Sequence, residues 1–250
     1  MLIFRFDPAV VTAFSLALVR ATAWIFISPP FNTRIVPTSI KVGLSAALAL
    51  AAAPHLKSTA VELGTAPFIG ALVTQAVVGV ALGMITMLLV NAIQAAGSLI
   101  DIFAGYSMAA VYDPLADHSA AVFGRFYQLV ATTLLFATNG HLILVNGFFR
   151  SFDAIPVNGL AANDMASVFT DNLGVFMIAS LEVAGPILAC LFLSEMTLGL
   201  LARAAPSLNV FALAFPLRIV VALLLVGVAL PLITPALSNL IESAVRPFGG

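Results

Sequence analysis

Four ionisable side chains lie inside long apolar stretches of the chain: Arg20, Glu182, Glu195 and Arg218. A charge in such a setting is costly, so it pairs with another group or lines a wet cavity. Glu195 and Arg218 stand eleven and twelve residues either side of Pro206. An antiparallel hairpin turning at Ala204-Ala205-Pro206-Ser207 brings them to nearly the same depth, and they are expected to face each other or a shared partner helix. Glu182 and Pro186 are one helical turn apart, and proline at 186 supplies no N–H to the Glu182 carbonyl. Arg203, just before the turn, completes a set of five charges expected within the membrane or between subunits.

A second pattern is polar but uncharged for most of its length. Asn91, Gln94, Ser98, Asp101 and Gly105 follow steps of three, four, three and four, which puts them on one face of a helix. Such a stripe either hydrogen-bonds to neighbouring helices or faces a water-filled path. The next stretch, Gly105-Tyr106-Ser107-Met108-Ala109-Ala110-Val111-Tyr112-Asp113-Pro114, is apolar but punctuated, and reads as a loop or a broken helix. Beside the stripe it would either occlude a passage or form a packed turn. Gly79 and Gly83 make a small-xxx-small pair that permits close approach of another helix.

The residues of catalysis are missing. No motif presents a nucleophile with a base, and no glycine-rich loop would cradle a phosphate. His55, His118 and His141 stand apart in sequence, and the single Cys190 cannot form an internal disulfide and reads as a buried small hydrophobe. An enzyme is not expected, nor a cofactor or a metal.

Composition says what holds these residues. Of 250 residues, 62% are apolar and 8% charged, against roughly 45–50% and about 25% in soluble domains. Twenty-one charged side chains cannot hydrate the surface of a soluble domain this large. Disorder, a collagen-like fibre, an ordinary cytosolic enzyme and a basic nucleic-acid binder are excluded, the last also by a net charge of −1. The chain is a membrane protein, or is packed among partners that behave like one. The N-terminus imitates a signal peptide, with Arg5, an apolar Ala9–Val19 and Ala21-Thr22-Ala23. Asp7 and Arg20 spoil the pattern, and cleavage is not expected.

Six helical regions follow from the apolar runs: Pro8–Ser28, Ile40–Ala53, part of Leu63–Ile100, Phe126–Phe149, Leu173–Leu201 and Leu208–Ile241. The uncharged run Leu63–Ile100 would make a helix of about 57 Å, so it either breaks or projects beyond a bilayer core of about 30 Å. Asn139-Gly140-His141 either divides the fourth region or is tolerated within one helix. Pro186, and then Pro216, Pro231 and Pro235, favour kinks or stops. The positive-inside rule places Arg5, Lys57, Arg150 and Arg246 against Arg34, Lys41, Arg125 and Arg203, and so chooses no topology. Short arms and interrupted helices suggest hairpins packed on other protein.

Four blocks along the chain carry a family resemblance. They are Arg20…Pro29-Pro30-Phe31…Val36-Pro37…Lys41 with Pro54; Ala96-Gly97 through Gly105-Tyr106-Ser107 to Asp113-Pro114; Phe136…Asn139-Gly140-His141…Ser151-Phe152…Pro156; and Gly199-Leu200-Leu201-Ala202-Arg203…Pro206…Asn209-Val210-Phe211…Phe215-Pro216-Leu217. In this order they resemble the FliR family of flagellar biosynthesis proteins, which includes the equivalent subunit of virulence type III secretion systems.

The resemblance implies an all-α, membrane-associated set of helical hairpins in the bacterial inner membrane, at the flagellar basal body. Residues 1–165 would form a FliP-like part and 166–250 a FliQ-like part, with Leu173–Ile241 as its hairpin. It implies assembly with FliP and FliQ into a helical, cone-like export gate, with FlhB and FlhA and membrane lipid alongside. Unfolded rod, hook and filament subunits would pass through it. By motif, the pore plug maps to Gly105–Ser119, with Gly105, Tyr106, Ser107, Met108, Val111, Tyr112, Asp113 and Pro114 sealing or shaping it. The rival reading from another class is a multi-pass proton-coupled permease, with Arg20, Glu182, Glu195 and Arg218 converging on one site.

Overall fold

The computed structural model describes residues 8–29, 31–33, 36–56, 65–106, 122–155, 162–205 and 209–245. Among them the regular elements are all helices: α1 (Pro8–Ile27), α2 (Thr38–Leu56), α3 (Thr65–Ala104), α4 (Val122–Ala137), α5 (Gly140–Ala154), α6 (Ala162–Ala204) and α7 (Val210–Val245). Four helical segments are long and apolar enough to cross a membrane: Pro8–Ile27, Ala66–Ala104, Thr170–Ala204 and Ala212–Val245. A fifth span is possible if the broken pair α4 and α5 is counted as one, and α2 holds only a shorter apolar stretch.

The uncharged run does not break. α3 is one helix of 40 residues, about 60 Å long at 1.5 Å per residue. The fourth region does divide, because Asn139 takes left-handed backbone (φ 58°) between α4 and α5. The expected stops at proline do not occur: Pro186 lies inside α6, and Pro216, Pro231 and Pro235 lie inside α7. Each proline removes one bond from a ladder of more than thirty residues, and the remaining bonds keep the helix whole. Pro54 likewise falls in the last turns of α2.

The chain forms two compact units that are not consecutive in sequence: Met1–Leu88 with Asn139–Leu173 and Ile241–Gly250, and Leu89–Thr138 with Gly174–Leu240. In the first, α1 packs along α2 and runs parallel to the first half of α3. A Cβ on Gly79 would lie 2.5 Å from the Arg20 carbonyl oxygen, and one on Gly83 would lie 2.8 Å from Ile27 Cβ. The small-xxx-small pair is therefore what lets these helices touch. Trp24 Nε1 donates to Thr86 Oγ1 at 3.3 Å, and its ring stacks on Phe148 of α5 at 5.0 Å.

In the second unit, α4 docks on α3 through Gly97, where a Cβ would lie 2.5 Å from the Phe123 carbonyl oxygen. The hairpin helices bury only narrow stripes. In α7 the stripe is Ala222, Val226, Ala229, Ile233, Leu237 and Leu240, a three-four spacing. Within the spanning stretches 28% of α6 and 22% of α7 is buried, against 56% of α3. Cys190, expected to be buried, is exposed because it falls off the buried stripe of α6.

Candidate functional site

Arg20 is fully buried, and its guanidinium is held by backbone and amide oxygens rather than by a carboxylate. Nε donates to Gln75 Oε1 at 2.6 Å, Nη1 to the Ser151 carbonyl at 2.8 Å and its Oγ at 3.1 Å, and Nη2 to the Ile155 carbonyl at 3.1 Å. The cation also lies 4.1 Å from the centre of the Phe152 ring. Ser151 and Ile155 belong to the C-terminal end of α5, where unpaired carbonyls and the helix dipole favour a positive charge. Arg20 thus caps α5 from α1 while Gln75 brings in α3. Gln75, Ser151 and Ile155 carried no signal in the sequence that tied them to Arg20.

The polar stripe of α3 divides in two. Asn91, Gln94 and Ser98 line an open groove of about 450 Å³ with Ala95, Leu99 and Ile102, closed on its other wall by Phe176, Met177 and Ser180 of α6. Asp101 does something else. Its Oδ1 accepts the Phe123 N–H at 3.0 Å and its Oδ2 the Gly124 N–H at 2.9 Å. These are free donors of the first turn of α4, so Asp101 caps that helix from outside. Both alternatives for the stripe are therefore realised, at different residues. Gly97, one turn before Asp101, is the missed partner: only a residue without a Cβ lets α4 approach closely enough for the cap.

α3 ends in a Schellman turn. The Tyr106 N–H donates to the Asp101 carbonyl at 3.0 Å and the Gly105 N–H to Ile102 at 3.2 Å, with Gly105 at φ 87°. A glycine meets that positive φ without strain. The Tyr106 ring stands edge-on to Phe123 at 5.4 Å. Ser107, Met108, Val111, Tyr112, Asp113 and Pro114 lie outside the described residues.

Arg218 Nη2 and Glu195 Oε1 meet at 2.5 Å, as the hairpin spacing predicts. The Glu195 side chain is 54% exposed, and Leu193, Met196, Leu217 and Val220 are exposed near it in sequence. Glu182 is exposed on α6, as is Arg203 at its end. Asn209 starts α7: its Oδ1 accepts the Ala212 N–H at 3.3 Å, the geometry of an N-cap.

Long apolar helices with rare, paired charges define an all-helical integral membrane protein. The chain matches the model of bacterial export proteins, family 1, over residues 11–244, and it belongs to that family. It is 31% identical to the flagellar biosynthetic protein FliR of Pectobacterium carotovorum subsp. carotovorum, over 92% of this chain and 88% of that one. To the Bacillus subtilis (strain 168) protein of the same name it is 29% identical, over 94% and 92%. Similarity to the Yop proteins translocation protein T of Yersinia pestis is 28% over 60% of this chain and 58% of that one.

Proposed function

We propose that this chain is a subunit of the flagellar type III protein-export gate, acting by forming and sealing a path rather than by catalysing a reaction. The observation that carries this reading is similarity to flagellar export proteins along nearly the whole chain. The virulence relative matches a smaller share, which favours the flagellar branch. The large exposed apolar surface of α6 and α7 suits a chain covered by lipid and by other subunits. Its partners in this reading are FliP, FliQ, FlhB and FlhA in the inner membrane. Residues 1–165 serve as the FliP-like part and 166–250 as the FliQ-like part.

The sealing segment in this reading runs from Gly105 to Pro114, and it starts from the fixed Schellman turn at Gly105. A narrow apolar constriction resists wetting and so resists ion leakage. Deleting the gene in its host and measuring secretion of hook and filament subunits tests the function, together with co-purification of FliP and FliQ with the tagged chain. Export stops without the chain and returns with it. Normal export in the deletion strain, or a purified monomer that binds a small solute, would overturn the reading in favour of a permease.

A further inference from the structure

Of the four charges inside apolar helices, three have partners within the chain. Arg20 is held by Gln75, Ser151 and Ile155, and Glu195 is paired with Arg218. Glu182 is exposed and meets no partner among the described residues. It lies inside the apolar stretch Thr170–Ala204, beside Ile178 and Leu181, which are also exposed. Its own carbonyl is the one that Pro186 leaves without the usual helical donor. A carboxylate on an apolar surface at this position needs a donor that lipid chains cannot supply.

The shape of the surrounding face says what kind of group brings that donor. Gly174, Ile178, Glu182, Gly185 and Ala189 recur at helical spacing on one side of α6. At Gly174 and Gly185 an added Cβ would meet nothing within 4 Å. Elsewhere in this chain, glycines on helix faces are where another helix comes close: Gly79 and Gly83 receive α1, and Gly97 receives α4. The face around Glu182 has the same small residues and no helix on it.

We infer that the Gly174–Glu182–Gly185 face of α6 receives an apolar membrane helix of another subunit, which presents a lysine or arginine to Glu182. Charge favours a cation: the apolar interiors of α6 and α7 hold Glu182 and Glu195 against Arg218 alone. This rests on the export-gate reading, since that reading supplies other membrane subunits.

The test uses the full export complex in its host. A photo-crosslinking amino acid at position 182, and another at 178, should form adducts with one membrane subunit. E182K and G185L should each lower recovery of that subunit with the tagged chain roughly tenfold, with E182Q less harmful. Reversing the lysine or arginine on the crosslinked helix to glutamate should restore E182K. Membrane levels of each variant, produced alone, check that it still inserts, and G185L keeps the test open if E182K does not. Adducts to lipid only, or wild-type recovery and export in both E182K and G185L, would overturn the inference. Export that stops on gene deletion but continues in E182K would overturn this inference alone; export that survives deletion would overturn the reading beneath it.

Discussion

The Asp101 carboxylate and the backbone N–H of Gly124 meet at 2.9 Å, and the same side chain holds Phe123 through its other oxygen. One acidic residue on α3 therefore fixes where α4 begins. Its backbone carbonyl meanwhile receives the Tyr106 N–H that closes α3.

Asp101→Ala should expose the first turn of α4 at a cost of about 1–2 kcal/mol, the scale of a lost N-cap. Asp101→Asn keeps one acceptor oxygen and should lose about half as much. Amide hydrogen exchange at Phe123 and Gly124 reads this directly, and unchanged exchange in the alanine variant would show that the cap contributes nothing.

The glycines separate into covered and open positions, which predicts opposite signs for one substitution. Gly79→Ala puts a methyl 2.5 Å from the Arg20 carbonyl oxygen and should destabilise by about 1–3 kcal/mol. Gly227→Ala has nothing within 4 Å and should be neutral or stabilise the isolated chain by up to about 1 kcal/mol, from helix propensity. Thermal unfolding of the detergent-solubilised chain compares the two.

Arg20→Met leaves oxygens of Gln75, Ser151 and Ile155 buried without their donor, and should cost about 3 kcal/mol or more. Arg20→Lys should recover part of this, since an ammonium cannot reproduce the planar fork. Denaturant titration in mixed micelles gives the order wild type, lysine, methionine. A methionine variant as stable as wild type would mean that packing alone holds α5 in place.

Glu195→Gln and Arg218→Gln, alone and together, form a cycle with an expected coupling of about 1 kcal/mol. The swapped pair, Glu195→Arg with Arg218→Glu, should recover most of the loss. Additive single effects would show that the contact carries no coupling.

Deleting Ser107–Tyr112 should raise ion leakage through the assembled gate while leaving assembly intact. Membrane conductance in cells producing the shortened chain measures it, and unchanged conductance would assign the segment to packing.

What the sequence made legible followed rules of spacing. The Glu195–Arg218 contact came from counting residues about Pro206, and the α1–α3 contact from Gly79 and Gly83. The division at Asn139 was visible as a polar interruption that admits left-handed backbone. Long-range partners were not legible. Nothing in the order of residues links Arg20 to a carbonyl at 155, because backbone acceptors exist at every position. Asp101 was read as one member of a stripe, since a capped helix start more than twenty residues away leaves no periodic trace. The prolines misled because their local preference was weighed without the length of helix on either side.

The joint around Arg20 has a consequence for how this chain tolerates change. Two of its acceptors, at Ser151 and Ile155, are main-chain oxygens that any amino acid would supply. Side chains at those positions can vary widely, provided they fit, with the bonds intact. The whole burden of that joint then rests on position 20, where nothing but a guanidinium reaches three helices at once.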